Sequence, residues 1–214
     1  MCGALDLKHL AFRQIHQTAP PRRLIYRAGE ATDDFTVICE GWAACVMRLA
    51  DGRRQILSFL IPGDTVSIAA LFKGRQSFSV QSLTEVRYCL FNRFELQKAL
   101  KEDGKVFEEI VKIGIAEKEL ADQTVVSLGR KSAAARIARL ILLLMERLET
   151  RGAVHDMCFH FPLRQQHIAD AMGLTTVHVS RVINKLRKDG LVDIAQRKIN
   201  ILDLAGLQSV ADER

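Results

Sequence analysis

Between Leu163 and Leu191 the chain reads LRQQHIADAMGLTTVHVSRVINKLRKDGL, a stretch that admits few folds. Its second half sets Val179, Val182, Ile183 and Leu186 at i, i+3, i+4 and i+7, one side of a helix facing a core. Thr176, Val177, Ser180, Arg181, Asn184 and Lys185 fall on the other side. Thr175 stands where its hydroxyl caps that helix, and Gly173 permits a tight turn with positive φ just before it. Ile168, Ala171 and Met172 give the preceding segment an apolar stripe of its own. Two short amphipathic helices around a glycine turn make a helix-turn-helix. Such a pair lays its second helix in the major groove of duplex DNA while the first crosses the phosphates.

Arg181 is placed to read a base, because a guanidinium bonds guanine O6 and N7 together, worth about 1–3 kcal/mol of discrimination. Val177 is placed to touch a thymine methyl, and His178 beside it is a DNA contact sooner than a catalytic base. The competing reading is an amphipathic hairpin in a larger core, its cations merely solvated. Charge distribution argues against it. Residues 130–200 hold thirteen Lys/Arg and six Asp/Glu, while the rest of the chain holds eighteen and nineteen. The net charge of +6 therefore sits in a third of the length, as expected for a nucleic-acid footprint. Beyond the second helix, residues 191–194 and 199–202 read as short apolar strands joined by AQRK, a wing whose Arg197 and Lys198 reach a phosphate.

At 214 residues and 48% hydrophobic content the chain is long enough for two modest domains with real cores. The longest apolar run, LILLLM at 140–145, falls far short of the roughly 18 residues of a membrane span. The opening MCGALDLKHLAFRQ lacks the basic start, apolar stretch and small-residue cleavage site of a secretory signal, so a cytoplasmic protein is expected. Five irregularly spaced cysteines do not form a disulfide framework, and a reducing compartment keeps them as thiols.

From about Arg23 to Arg93, strand-like runs alternate with turn signals at AGE, EG, DG, PGD and KG, the pattern of an antiparallel sandwich or barrel. The period then changes. Residues 94–100 read as a turn or two of helix, and residues 105–128 as a long one with Val106, Ile110, Ile113, Leu120 and Leu128 at helical intervals. That stripe exceeds what a small barrel covers, so it is assigned to a partner chain. Packing on its own β-domain is the alternative, since Glu117 and Thr124 interrupt the stripe. Arg130 and Lys131 mark a hinge. A helix from Ser132 to about Glu149, with Ile137, Leu140, Ile141 and Leu144 inward, opens the last domain.

AGEATDDFTVICEGWAACVM followed by DGRRQILSFLIPGD, and then IADAMGLTTVHVSRVINKLRKDGLV, resemble the Crp/Fnr family of bacterial transcription regulators. The resemblance covers nearly the whole chain. It implies an α+β fold: an antiparallel β-roll (a double-stranded β-helix of the cyclic-nucleotide-binding kind) over 1–104, a dimerisation helix over 105–130 and a winged helix-turn-helix over 131–214. It further implies a homodimer on palindromic double-stranded DNA, with RNA polymerase as a partner. By that similarity Gln165 and Gln166 contact phosphates, Thr175 caps the recognition helix, and Arg181, after Ser180, reads a guanine.

Two departures from the family pattern matter. Many members carry a glutamate four residues before the arginine to accept from cytosine N4, where this chain has Val177, so the usual half-site does not follow. The cyclic-nucleotide branch holds ribose and phosphate with Gly-Glu and Arg-Ser or Arg-Thr pairs; the matching positions here are Ser67 and Ile68, then Gln76 and Ser77. Without that arginine a cyclic phosphate loses its bidentate contact, which argues against cyclic AMP; Arg75 substitutes only if the loop shifts. The oxygen-sensing branch draws cluster ligands from a run of N-terminal cysteines, whereas only Cys2 precedes Cys39 here, which argues against an iron–sulfur cluster. Haem stays open, with Cys2, His9, His16, Cys39 and Cys45 as candidate axial ligands. Cys45 and Cys89 read as buried small hydrophobes or a redox switch. His155, Cys158 and His160 make an H-x2-C-x-H cluster, but on one strand His155 points away from the other two, too few ligands for structural zinc. MCG resembles the start of class II glutamine amidotransferases, with Cys2 as nucleophile, and the match ends there. Effector-independent control is the remaining possibility.

Overall fold

In the computed structural model, which describes residues 13–213, the strands begin earlier than the turn signals. They are β1 (Gln14–Ala19), β2 (Leu24–Tyr26), β3 (Asp34–Glu40), β4 (Ala43–Arg48), β5 (Arg54–Leu60), β6 (Ser79–Ser82) and β7 (Val86–Asn92). They pair antiparallel in two sheets, ordered β1-β7-β3 and β2-β6-β4-β5.

Strands β3 and β7 are covered on both sides, which is why β3 is buried almost throughout instead of alternating. Ile38, Tyr88 and Leu90 face the second sheet, meeting Ala43, Cys45, Leu60 and Val80. Phe35, Val37, Cys89 and Phe91 face the other way, toward α1 (Ile68–Lys73), α2 (Arg93–Glu102) and the start of α3 (Gly104–Arg130). Helix α1 was not legible as a helix: Ser67 caps it, accepting from the Ala70 N–H at 3.2 Å, and Gly74 at φ 65° ends it, so the KG signal closes a helix and not a hairpin.

The stripe of α3 divides differently from the sequence expectation. Val106 and Ile110 are buried with Leu71, Leu96 and Phe91, and Ile113 packs partly against them. These residues belong to the chain's own core, as the alternative reading held. The face left open carries Phe107, Val111 and Ile115, at 55%, 40% and 53% exposure. Glu117, the interruption, accepts a hydrogen bond from Thr65 Oγ1 at 3.0 Å, and desolvation of the carboxyl raises it above its usual range.

The chain divides into two compact units, Met1–Ala121 and Asp122–Arg214, with the boundary inside α3. The second unit is built around α4 (Ala133–Glu149), capped by Ser132 and buried on most sides through Ile137, Leu140, Ile141, Leu144 and Leu148. Packed on it are α5 (Gln165–Met172), α6 (Thr176–Lys188) and α7 (Leu204–Asp212), and a sheet ordered β8 (Cys158–His160), β10 (Lys198–Ile201), β9 (Val192–Ala195) meets α6 through β9. Helix α7 was not anticipated. Asp203 caps its start, and the Lys131 ammonium donates to the carbonyls of Ala211 and Asp212 at its end, at 3.2 and 3.0 Å.

The turn before β8 holds Asp156 and Met157 at φ 48° and 59°, while His155 and Cys158 exchange backbone hydrogen bonds of 3.0 and 2.8 Å. That is the primed hairpin geometry, which favours glycine at the second position. Met157→Gly should therefore stabilise the unit by about 1 kcal/mol, since a left-handed non-glycine residue costs about that much. A urea unfolding midpoint that fails to rise would count against strain at this turn.

Candidate nucleic-acid interface

Helix α5 ends at Gly173, whose φ of 64° lets its N–H return to the Ala169 carbonyl. Two residues later Thr175 Oγ1 accepts from the His178 N–H at 3.2 Å and starts α6. The pair is held from beneath by Arg136 of α4, whose guanidinium donates to the Met172 carbonyl at 3.1 Å and to the Lys131 carbonyl at 2.9 Å. Nothing local marks Arg136 in the sequence, because its partner lies across the unit.

Val179, Val182 and Leu186 of α6 are buried, whereas Ile183 is only half-buried and marks the edge of the inward face. On the outer side Thr175, Val177, His178, Arg181 and Lys185 line a shallow depression. Val177 is 59% exposed. Thr176 and Ser180 are half-buried beside this face. Among the described residues neither Arg181 nor Lys185 is in an ion pair, while Arg187 binds Asp193 at 3.1 Å and so ties α6 to β9. The local acid is thereby neutralised and the two cations remain available to an anionic ligand.

Gln165 and Gln166 occupy the first turn of α5, where amide N–H groups point outward. Gln166 donates to Asp170 at 2.6 Å, which fixes its side chain along the helix. In the wing, Gln196 and Arg197 form the tip at φ 50° and 60°, and Arg197 and Lys198 are exposed. A third strand, β8, completes the sheet, pairing His160 with Lys198. Desolvation, then the cations of Arg197 and Lys198, lower the His160 pKa below the usual histidine range.

The candidate effector positions have varied fates. The Ser67 hydroxyl caps α1, and Ile68 lines an apolar groove with Phe72, Leu100, Phe107 and Val111. Gln76 is buried, its side-chain oxygen without a hydrogen-bond partner among the described residues, and Ser77 is exposed. His155 sits directly opposite Cys158, which puts both on one face and corrects the single-strand reading. Even so, among the described residues only His16, Cys39 and Cys89 bring three ligand atoms within 4.8 Å of one another. Cys45 lies in the core between the two sheets. Cys2 and His9 fall outside the described residues.

No helix among the described residues is long and apolar enough to cross a membrane. Residues 16–103 match the cyclic nucleotide-binding domain family, and residues 135–210 match the Crp-like helix-turn-helix domain family. The nitrogen fixation regulation protein FixK of Bradyrhizobium diazoefficiens is 30% identical over 99% of this chain and 89% of its own length. The transcriptional activatory protein AadR of Rhodopseudomonas palustris is 30% identical over 95% of this chain and 85% of its own. The structure of FixK2 from Bradyrhizobium japonicum has the same fold, with a TM-score of 0.83 at 23% identity, covering 94% of this chain and 99% of that one. These relatives are regulators and not enzymes, and with both domain matches in chain order the protein belongs to the Crp/Fnr family of transcription regulators, outside its cyclic-AMP-binding branch.

Proposed function

We propose that the protein is a homodimer that binds a palindromic DNA site in the cytoplasm and there engages RNA polymerase. The domains take the limits 1–104 for the sensor, 105–130 for dimerisation and 131–214 for DNA binding. The observation that carries this reading is the outer face of α6, where Arg181 and Lys185 are exposed next to Val177 and His178 and, among the described residues, form no ion pair. Arg181 reads guanine, Val177 packs on a thymine methyl, and Thr176, His178 and Ser180 contact the same groove. Gln165, Gln166, Lys185, Arg197 and Lys198 hold phosphates. The dimer is supported by Phe107, Val111 and Ile115, spaced four apart and exposed on one line of α3. The first unit senses something other than cyclic AMP, because Ser67, Ile68, Gln76 and Ser77 provide neither the carboxylate nor the guanidinium that a ribose cyclic phosphate needs.

The test is selection of duplexes from a random library, followed by binding isotherms across a salt series. A palindromic consensus with a steep salt dependence is expected, and failure to bind any duplex at low salt would overturn the proposal. Lys185→Ala should weaken selected and unrelated duplexes alike, lowering the slope of log K against log salt by about one per protomer. An unchanged slope would remove Lys185 from the phosphate contacts.

A further inference from the structure

One side of the sheet β1-β7-β3 gathers a group of residues that DNA binding does not use. His16 of edge strand β1 stands directly opposite Cys89 of β7, and Val37 of β3 is the partner of Cys89 on its other side. Cys39 lies two residues beyond Val37, where the β3–β7 register shifts between Ile38 and Glu40. The Cys39 and Cys89 sulfur atoms are 2.7 Å apart, and Cys89 Sγ is 3.1 Å from His16 Nδ1. Both cysteines are buried, at 8% and 1% exposure, while His16 is open to solvent. The group is therefore dry on its sulfur side and reachable on its imidazole side.

A cysteine packed as a small hydrophobe needs no second sulfur and no imidazole against it. Two sulfurs and one ring nitrogen within 4.8 Å form a soft-to-borderline donor set, suited to zinc-like ions and unsuited to magnesium or calcium. We propose that His16 Nδ1, Cys39 Sγ and Cys89 Sγ bind one thiophilic divalent metal ion, with a fourth position that no described His, Cys, Asp or Glu fills.

Binding releases two thiol protons to solvent and forms two metal–sulfur bonds of about 2.3 Å and one metal–nitrogen bond of about 2.0 Å. Sulfurs on a tetrahedral ion stand roughly 3.8 Å apart, so the pair opens by about 1 Å. The register shift at Cys39 is where the ladder can yield. Cys39 Sγ is disulfide-bonded in this structure, so metal binding follows two-electron reduction of that bond by a thiol or phosphine, which returns Cys39 to a thiol. An ion here joins all three strands of the sheet. It also abuts the core that Cys39 and Cys89 share with Leu96, Val106 and Ile110, at the root of α3. Any use of that position in regulation rests on the regulator reading above, whereas the binding itself does not.

The experiment is titration of the full-length protein, reduced with a phosphine under anaerobic conditions, with cobalt(II). One equivalent should produce a thiolate-to-cobalt charge-transfer band and intense tetrahedral d–d bands, displaced by zinc and indifferent to magnesium. Cys39→Ser and Cys89→Ser should each lose charge-transfer intensity. The exposed His16→Gln change should leave the fold intact by circular dichroism, shift the d–d bands and weaken binding at least about tenfold. A folded wild type with no cobalt spectrum would overturn the proposal, as would bands that survive both serine variants. Acid-labile sulfide with more than one iron per chain would replace it with a cluster. Closure of a Cys39–Cys89 disulfide in air, with no metal taken up by the reduced form, would replace it with a thiol switch. None of these readouts depends on DNA, so loss of operator binding leaves the metal result standing.

Discussion

Arg181→Ala is expected to abolish sequence-specific DNA binding and leave the protein folded. The side chain is exposed, makes no ion pair among the described residues and lines the outer face of α6, away from the buried Val179, Val182 and Leu186. Its loss should alter folding stability by no more than about 0.5 kcal/mol. Each bidentate arginine–guanine contact contributes about 1–3 kcal/mol of discrimination, and a palindrome presents two such contacts to a dimer. Selected duplexes should then lose between one and four orders of magnitude in affinity, while unrelated duplexes change far less. Anisotropy titrations on both duplex types make the comparison, with thermal melting as the control. Retained affinity for the selected site would remove Arg181 from base readout and with it the assignment of α6 to the major groove. Val177, where many members of the family carry glutamate, leaves the adjacent base pair to apolar contact, so the selected half-site should differ from theirs there.

Val111→Asp should convert the proposed dimer to a folded monomer. Val111 lies between Phe107 and Ile115 on the open line of α3 and is 40% exposed, so the substitution leaves the core of Val106 and Ile110 intact. In a two-fold interface every substitution occurs twice. With 40% of each valine left for a partner to cover, losing that burial twice costs about 1–2 kcal/mol, about one decade in the dimer constant, and two desolvated carboxylates add several kcal/mol more. Sedimentation equilibrium at micromolar protein should detect the shift, with circular dichroism reporting the fold. Because a palindrome is held by both subunits, operator affinity should fall with dimer affinity. A dimer that persists unchanged would place the interface on another surface.

The recognition helix was readable because its information is local. Periodicity, the Thr175 cap and the Gly173 turn all lie within a dozen residues, and the structure bears out each at its position. The β-domain was legible only as a class. Turn signals located most hairpins, but β1 lies ahead of the first of those signals, α1 is six residues long, and α7 follows the wing without a strong stripe. In the long helix the apolar positions were seen, but not which belonged to which surface. Val106 and Ile110 read like Val111 and Ile115 in a periodicity count, and only the position of β3 and β7 beneath the helix separates core from open face.

Local pattern therefore sufficed for the winged helix-turn-helix, the basic third of the chain, the family and the lack of the cyclic-nucleotide pairs, since helical period, caps and charge are properties of short windows. Strand register belongs to the tertiary structure. It carried His16, Cys39 and Cys89, scattered at irregular intervals along the chain, to one point on one sheet face, and it turned His155 toward Cys158. Register is set by how distant strands pair and by which faces the core buries, and a single-residue slip would send every one of those side chains to the opposite side.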